Sequence, residues 1–246
     1  MTEIGYYSYK IRSYHIDSSS RLQVHQLLNF LQDAAHQHAD GLGFGQSQLS
    51  KIDLFWVLSR LSIEISELPG QGDEIELSTW VKSIRGSVSE REFSISTNGK
   101  LVVNASSLWF CISGETHKPA QVPEEYVTKM TVNNLFATKL GAIKVELPQQ
   151  DAKSSTGNIV RAEFSDIDMV DHVNNATYAR WILDEIPTNY HQNKGLKKLT
   201  INYLGEVFLD DNIRVVHKFW GSNNLLHEII SIKTNDIICL AITTWN

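Results

Sequence analysis

Apolar positions recur at helical spacing in two widely separated stretches of the chain, each after a polar turn. The first stretch is RSYHIDSSSRLQVHQLLNFLQDAA from Arg12, and the second is RAEFSDIDMVDHVNNATYARWILDE from Arg161. Each predicts a short strand, a turn and then a helix with one apolar face. The positions on these faces are Leu27, Leu31, Ala34 and His38 in the first helix, and Val173, Thr177 and Trp181 in the second.

Alternation of apolar and polar residues follows each predicted helix. SRLSIEISELPGQGDEIELSTW from Ser59 corresponds to KKLTINYLGEVFLDDNIRVVHKFW from Lys197, and each predicts two strands joined as an antiparallel hairpin. EFSISTNGKLVVNASSLWF from Glu92 corresponds to EIISIKTNDIICLAITTWN at the end of the sequence. Asn98-Gly99 and Asn235-Asp236 fall at equivalent positions and predict hairpin turns.

A strand, a long helix and then about four antiparallel strands therefore occur twice, although such similarity also arises between unrelated α+β chains. We predict an α+β fold of two tandem units, each a long helix wrapped by a curved antiparallel sheet. The units can join edge to edge, which covers exposed strand edges. The predicted boundaries are residues 1–112, an inter-repeat connection at 113–158, and residues 159–246. The connection contains Pro119, Pro123, Pro148, the short helical patch PEEYVTKM and the polar run QQDAKSSTGN.

Composition and charge narrow the classes of function. With 246 residues and 42% hydrophobic residues the chain can bury a sizeable core, and a net charge of −6 argues against nucleic acid as a partner. Cys111 and Cys239 lie far apart without metal-binding spacing, which favours buried free thiols in a reducing compartment. No secretion signal is visible and the apolar runs are too short to span a bilayer, so we expect a soluble, cytoplasmic protein.

The segment DIDMVDHVNN, residues 166–175, concentrates acids, an imidazole and amides before the second helix. A helix beginning near Val173 offers free backbone N–H groups that can stabilise an oxyanion in acyl transfer. His172 lies at this end, Asp171 is a candidate N-cap, and Asp168 is close enough to reach the same site. Ordinary helix capping is the alternative. The first repeat has small polar residues here, which favours chemistry confined to the second repeat.

A further carboxylate, Glu206, follows Gly205 in INYLGEVF, at the end of the strand after this helix. Partial burial would raise its pKa and suit it to general-base catalysis on water. The alternative is a charge that protects a sheet edge from aggregation.

These residues resemble a known family, the acyl-acyl carrier protein thioesterases of plants and bacteria, which are double hotdog proteins. The matching segments are DIDMVDHVNNATYARWILDEIP with its HVNNxxY core, YLGEV, LLNFLQDAAHQHADGLGFG and LFWVLSRLSIEI. The resemblance covers nearly the whole chain in order. It implies hydrolysis of the thioester between a fatty acyl chain and the phosphopantetheine arm of acyl carrier protein, without a metal or redox cofactor.

The resemblance also implies roles for the catalytic candidates Asp168, His172 and Glu206. In family terms Glu206 activates the attacking water or attacks directly. Asp168 and His172 orient groups and help to stabilise the intermediate.

Most of the substrate-binding candidates lie in or next to the HVNN segment. Amides of the helix starting near Val173 would hold the thioester oxygen, and Asn174 and Asn175 would form hydrogen bonds at the helix start. The family usually has asparagine where this chain has Val170, and plant members have cysteine at the position of Val207. Val170 therefore removes a side-chain amide, whose loss costs a few kcal/mol in a buried setting.

In the family the first repeat holds the acyl chain, and Leu27, Leu31 and Trp56 are candidate lining residues here. Because acyl carrier protein is acidic, its docking needs local positive charge. Three lysines before the strand leading to Glu206 are the candidates: Lys194, Lys197 and Lys198. A solvated charge run is the alternative. The sequence leaves a homodimer open. His36 and His38 point in different directions on a helix, so we expect no metal site.

The sequence thus predicts a double hotdog acyl-carrier-protein thioesterase. One alternative is a hydratase of the same fold that acts on enoyl thioesters, for which Glu206 would be incidental. Another is a non-catalytic acyl-thioester binder whose site decayed through Val170.

Overall fold

The structure is a computed structural model that describes residues 4–128, 130–146 and 157–246. The chain divides into two compact units, Met1–Ala142 and Ile143–Asn246, which we call the N-terminal and C-terminal units. The division falls within the predicted inter-repeat connection, so this segment contributes to both units. Pro148 and all but the last two residues of the predicted polar run QQDAKSSTGN lie outside the described residues.

The N-terminal unit contains five strands and one long helix. Its strands are β1 (Gly5–Lys10), β2 (Leu54–Ile65), β3 (Glu74–Arg85), β4 (Val88–Thr97) and β5 (Lys100–Ser113). Its helices are α1 (Val24–Gly41), α2 (Gln46–Leu49) and α3 (Glu124–Val127), with 3₁₀ turns at Ser13–His15 and Ser50–Ile52. The strands are antiparallel in the order β1-β3-β4-β5-β2.

The C-terminal unit repeats this order of elements. Its strands are β6 (Asn158–Arg161), β7 (Leu196–Tyr203), β8 (Asn212–Trp220), β9 (Asn224–Ser231) and β10 (Ile237–Trp245). Its helices are α4 (Asn175–Asp184) and α5 (Thr188–Asn193), with a 3₁₀ turn at Phe164–Asp166. The strands are antiparallel in the order β6-β8-β9-β10-β7, which matches the order β1-β3-β4-β5-β2 of the N-terminal unit strand for strand. The predicted α+β class and the twofold repetition are confirmed.

Two of the four predicted hairpins are wrong. β2 pairs with β5, and β7 pairs with β10, so neither forms a hairpin with the strand that follows it. Alternation identifies a half-buried strand but does not identify its partner. The chain after β2 instead joins the loop before α1, where Leu22 N donates to Pro69 O at 2.8 Å and Gly72 N donates to Ile11 O at 3.0 Å.

The other two hairpins are confirmed. β4 and β5 pair on either side of Asn98-Gly99, whose φ angles of 51° and 73° suit the tight turn that joins a twisted antiparallel pair. β9 and β10 pair around Asn235, which has φ 60°.

Helix α1 buries the face that its apolar spacing predicts. Leu27, Leu31, Ala34 and His38 are all buried, and the helix packs against β1 and β3. Complete burial of a leucine contributes about 1.5–3 kcal/mol, so this face anchors the helix to the sheet.

The inter-repeat connection crosses the sheet of the N-terminal unit, as expected. Asn133 N donates to Val81 O at 2.9 Å, and the indole of Trp80 donates to Leu135 O at 3.0 Å. The carboxylate of Glu92 in β4 accepts from Ala137 N at 2.9 Å. Burial raises the pKa of Glu92, although the hydrogen bond from Ala137 N to its carboxylate opposes the shift. Backbone and side-chain hydrogen bonds therefore fix the described part of the connection.

Both cysteines are free and buried, which confirms the prediction. Burial raises the pKa of Cys111 to about 11 and that of Cys239 further, so neither is a ready nucleophile. Within the described parts of the chain, no helix has the length and apolar character needed to cross a membrane.

Candidate active site

The loop before α4 closes on itself through Asp168. The carboxylate oxygen Oδ1 of Asp168 accepts from Val170 N at 3.0 Å and from His172 N at 3.4 Å. Asp168 N donates to His172 O at 2.8 Å, and Asp171 N donates to Asp168 O at 3.2 Å. Asp171 has φ 62°, a left-handed conformation that Asp tolerates better than most residues. This turn fixes the backbone that carries His172.

The N-terminal unit contains the same turn. Asp17 Oδ1 accepts from Ser19 N at 2.8 Å and from Arg21 N at 3.1 Å, and Asp17 N donates to Arg21 O at 2.8 Å. Ser20, at the position of Asp171, has φ 59°. The first repeat therefore also has an acid at this position, because Asp17 makes contacts equivalent to those of Asp168. These contacts of Asp168 order the loop.

The imidazole of His172 lies between a backbone carbonyl and the carboxylate of Glu206. Nδ1 is 2.5 Å from Val170 O, and Nε2 is 3.4 Å from Glu206 Oε2. A carbonyl oxygen can only accept, so Nδ1 carries a proton and Nε2 faces the carboxylate. The ring of Phe208 lies 4.9 Å from the imidazole, between centroids, and packs against it. The structure thus brings His172 and Glu206 together as the sequence predicts.

Glu206 lies in the loop after β7, three residues beyond Tyr203, rather than at the end of the strand. Leu204 N and Gly205 N both donate to Ile238 O, at 2.9 and 3.1 Å, and fix this loop to β10. Glu206 is more open than the partial burial considered for it, because its side chain is 46% exposed, whereas that of His172 is 29% exposed. The pair therefore lies at a solvent-accessible surface of the unit.

Helix α4 begins later than the sequence predicts. It starts at Asn175, and the N-cap is Asn174, whose Oδ1 accepts from Ala176 N at 2.8 Å. Both the predicted start near Val173 and the predicted cap at Asp171 are wrong. The physical reason is that Val173 pairs with Ile167 in an extended bridge, and its N–H donates to Val207 O at 2.9 Å instead of entering a helical turn.

The hydrogen bonds at the helix start restrict which amides can meet a substrate. The N–H groups of Val173 and Asn174 donate to Val207 O and Asp166 O, so neither is available. Among the hydrogen bonds of the described residues, Asn175 N has no partner, and it is the first residue of α4. The N–H of Asn175 can therefore donate a hydrogen bond to an oxyanion, and the positive end of the helix dipole adds to the stabilisation of that negative charge.

Tyr178 supports the site, although the motif HVNNxxY by itself assigns it no role. It is buried, and its hydroxyl donates to Gly205 O at 3.4 Å, directly before Glu206. Burial, then the nearby Cys239 and the charges of Glu206 and Asp168, raise the pKa of Tyr178, so it stays a neutral donor. Tyr203 similarly donates to Asn175 O at 3.1 Å. Both tyrosines tie α4 to the strand and loop that carry Glu206.

The N-terminal unit has an open pocket of about 330 Å³, counting the solvent at its mouth. Trp56, a predicted lining residue, lies in its wall. Leu27 and Leu31 are core residues, 0% and 3% exposed, and are not part of the wall. The apolar wall consists of Ala35, Ala39, Phe44, Trp56 and Trp109. Periodicity identified the buried face of α1 but could not separate core positions from pocket positions.

The three lysines proposed for docking are partly buried. Lys194 Nζ donates to Asn223 Oδ1 at 3.2 Å and lies 4.9 Å from the centre of the Tyr190 ring. Lys197 and Lys198 are consecutive in β7 and so point to opposite faces of the sheet. The three ammonium groups therefore do not form one continuous stripe.

Two family models match the chain. The model described as Acyl-ACP thioesterase N-terminal domain matches residues 6–130, and the one described as Acyl-ACP thioesterase C-terminal domain matches residues 149–246. Together they are the two domains of one class of thioesterases. The chain belongs to the acyl-ACP thioesterase family, and the resemblance seen in the sequence is confirmed.

The chain is similar to plant proteins along most of its length. The chloroplastic acyl-[acyl-carrier-protein] hydrolase FATB3 of Cuphea viscosissima is 27% identical over 254 residues, which cover 97% of this chain and 61% of the relative. Oleoyl-acyl carrier protein thioesterase 1 of Arabidopsis thaliana, also chloroplastic, is 30% identical, with 86% of this chain and 63% of the relative covered. The chain therefore spans about three fifths of the length of these curated relatives.

Solved structures share the fold. An acyl-ACP thioesterase from Bacteroides thetaiotaomicron is 27% identical, with a TM-score of 0.86 and coverage of 99% of this chain and 98% of that chain. A 12:0-ACP thioesterase from Umbellularia californica, at 22% identity, has a TM-score of 0.87 and coverage of 99% and 97%. The predicted double hotdog fold is confirmed.

Proposed function

We propose that this protein hydrolyses the thioester of fatty acyl-acyl carrier protein and releases a free fatty acid. The observation that carries the proposal is the contact between His172 Nε2 and Glu206 Oε2 at 3.4 Å, at a solvent-accessible surface of the C-terminal unit. Family membership gives the substrate class, and the names of the plant relatives support it.

In the proposed reaction Glu206 accepts a proton from water as the water oxygen attacks the thioester carbonyl carbon. The negative charge that develops on the carbonyl oxygen is stabilised by Asn175 N–H at the start of α4. The carbon–sulfur bond then breaks, and the proton held by Glu206 passes to the departing thiolate. The products are a fatty acid and the thiol of the carrier arm.

In this proposal His172 is a positioning and electrostatic partner of Glu206. Its Nδ1 proton is engaged by Val170 O, so Nε2 is the atom directed at the carboxylate. Packing of Phe208 against the imidazole supports the same orientation. The backbone carbonyl of residue 170 makes this contact whatever its side chain, and Val170 is 45% exposed. The substitution therefore leaves no buried group unpaired, which favours an active enzyme over a decayed binder.

We also propose that the acidic carrier protein docks near Lys194, Lys197 and Lys198. The acyl chain would bind in the N-terminal unit. Electrostatic docking predicts that exchanging these lysines for glutamate raises KM and leaves kcat nearly unchanged. Lys51→Glu, an exposed change in the N-terminal unit, is the matched control. A homodimer and a cytoplasmic location stay predictions.

The decisive test uses a saturated acyl-carrier-protein, from which a thioesterase releases free acid but a hydratase releases nothing. Glu206→Gln should lower kcat by about 10²–10⁴-fold, as expected for loss of a general base. Glu67→Gln is the control, because Glu67 also lies in a loop after a strand, β2, and forms an exposed ion pair with Lys100. Absence of acid release by the wild type would refute the activity. Release that survives Glu206→Gln would refute the assigned role.

A further inference from the structure

Arg91 is a buried cation in the N-terminal unit and has no role in the site around His172. It lies in β4 and is only 5% exposed. Consecutive residues of a strand point to opposite faces, so Arg91 points towards α1, whereas Glu92 points towards the inter-repeat connection. The neighbouring carboxylate is therefore on the other side of the sheet.

The hydrogen-bond partners of Arg91 are neutral. One guanidinium nitrogen, Nη1, is 2.8 Å from His38 Nδ1 and 3.1 Å from Thr79 Oγ1. Arginine can only donate, so Nδ1 of His38 accepts and its ring proton lies on Nε2. Burial, followed by the charge of Arg91, lowers the pKa of His38 to about 4, which agrees with a neutral ring. The buried cluster thus keeps the whole charge of the guanidinium.

No carboxylate of the described residues forms an ion pair with Arg91. His38 Nε2 is also buried without a hydrogen-bond partner in this part of the chain. Burying a charge without an opposite charge is costly, and a purely aliphatic ligand would not reduce that cost. A ligand with a negative group would.

Arg91 lines the pocket of the N-terminal unit together with Ser89, His36 and the five residues of the apolar wall. The indole N–H groups of both wall tryptophans are already used, since Trp56 donates to Phe44 O at 3.1 Å and Trp109 donates to Ser107 Oγ at 2.7 Å. The wall therefore offers aromatic faces, and Arg91 is the charged group of the pocket. An apolar chain with one anionic end matches both features.

We infer that this pocket is a binding site for a carboxylate carried at the end of an aliphatic chain, with Arg91 as its counter-ion. The carboxylate can come from two sources. It is either the head group of a free fatty acid or a carboxyl group at the far end of an acyl chain. This choice of sources rests on the proposed function, whereas the site itself does not.

The binding test compares sodium decanoate with decanamide, a neutral ligand of the same length, on the full chain. Fluorescence of Trp56 and Trp109 reports occupancy, and calorimetry gives the affinity. We expect decanoate to bind at least about tenfold more tightly, as charge-assisted hydrogen bonds require. Equal affinities for the two ligands would overturn the inference.

Arg91→Met should abolish the preference for decanoate, because it keeps an apolar side chain of similar length without the charge. Arg85→Met, an exposed change in β3, should leave the preference unaltered. Arg91→Lys keeps the charge but loses the planar fork, so decanoate alone should bind more weakly. A preference that survives Arg91→Met in a folded variant contradicts the inference. If that variant does not fold, an unchanged affinity of Arg91→Lys for decanoate contradicts it instead.

Two further measurements identify the source. Inhibition of acyl-carrier-protein hydrolysis by decanoate but not decanamide identifies the free acid. A lower KM for a carboxy-terminated acyl chain than for its methyl-terminated equivalent, lost in Arg91→Met, identifies the acyl group. Binding is measured without turnover, so binding without hydrolysis supports the inference and refutes the proposed function. Hydrolysis without selective binding refutes the inference alone.

Discussion

Residues 17–22 and residues 168–173 form the same turn in the two units but carry different side chains. In each, an aspartate accepts from amides two and four residues ahead, and the fourth residue has a positive φ. Each turn then joins a second loop, through Leu22 N to Pro69 O at 2.8 Å and Val173 N to Val207 O at 2.9 Å. The backbone conformation of this turn therefore does not depend on the side chains of the candidate active site.

This pairing defines which residues differ between the two sites. Arg21 occupies the position of His172, and Leu68, which precedes Pro69, occupies the position of Glu206. The helix starts differ as well, since Asn174 caps α4 whereas the Gln23 side chain turns away from α1 and donates to Ile16 O at 2.7 Å. Side chains at three positions in and around the same backbone turn therefore distinguish the candidate active site from the equivalent region of the N-terminal unit.

The sharpest test of this difference exchanges His172 for glutamine. Glutamine can still donate to Val170 O but presents no imidazole to Glu206, so the carboxylate loses its positioning and electrostatic partner and kcat/KM should fall by about 10²-fold. Arg21→Gln, the matched change in the other unit, should alter kcat/KM by less than about twofold. Steady-state hydrolysis of acyl-carrier-protein measures both. Similar rates for His172→Gln and the wild type would remove His172 from the mechanism.

Acid should destabilise both units through buried histidines, His38 in the N-terminal unit and His217 and His227 in the C-terminal unit. Burial lowers the pKa of His38 to about 4 and that of His227 to about 3, in the second case helped by His217. The unfolded chain therefore binds more protons below about pH 6.5, and stability that is complete above this pH falls as the pH decreases towards the folded values. The loss at pH 5 is about 2 kcal/mol for each of His38 and His227.

Urea unfolding at pH 7 and pH 5 measures this loss. His227→Gln should make the unfolding free energy less sensitive to pH, because glutamine does not titrate. His36→Gln should not change the sensitivity, since His36 is exposed. An unchanged pH dependence in His227→Gln would contradict the assignment.

The paired aspartates separate a structural from a catalytic role. Asp17→Ala and Asp168→Ala each remove an acceptor for two loop amides and should lower the free energy of unfolding by about 1–2 kcal/mol. Asparagine keeps the accepting oxygen, so Asp17→Asn and Asp168→Asn should restore most of that stability. A selective loss of activity in Asp168→Asn would show that its charge, and not the loop alone, matters. Chemical unfolding and hydrolysis assays on the same samples decide between these outcomes.

The smallest effect is expected at residue 170. Val170→Asn introduces the amide usual in the family, but His172 already bonds to the backbone carbonyl of this residue. We therefore expect kcat/KM to change by less than about threefold. Ser19→Asn introduces the same residue at the equivalent position of the other turn and serves as the control. A tenfold gain in Val170→Asn would show that the carbonyl does not replace the amide.

Local patterns predicted the parts of the fold that depend on local interactions. The apolar face of α1, the alternation of the strands and the Asn98-Gly99 turn were each readable, because side-chain period and turn chemistry act over a few residues. The partners of β2 and β7 were not, since alternation fits any neighbouring strand. The start of α4 was misplaced because the bond from Val173 to Val207 crosses 34 residues of sequence.

The candidate site divides in the same way. The motif HVNNxxY and the glutamate of YLGEV identified His172 and Glu206, and the structure places their side chains in contact. The exposure of Glu206, the capping by Asn174 and the support from Tyr178 depend on packing that no short segment encodes. Asp17 was overlooked as the counterpart of Asp168 because IDSSS and IDMVD share only their first two residues, and the shared turn is visible only in the backbone.

Residue type and spacing alone indicated the repeated order of elements, the family, and His172 and Glu206 as candidate site residues, because these features are local. Tertiary structure decided which strands pair, which helix amide is free, and that Arg91 is buried without a carboxylate partner among the described residues. Hydrogen bonds and charges act between atoms that folding brings within a few ångströms, and the distance along the chain does not specify those contacts.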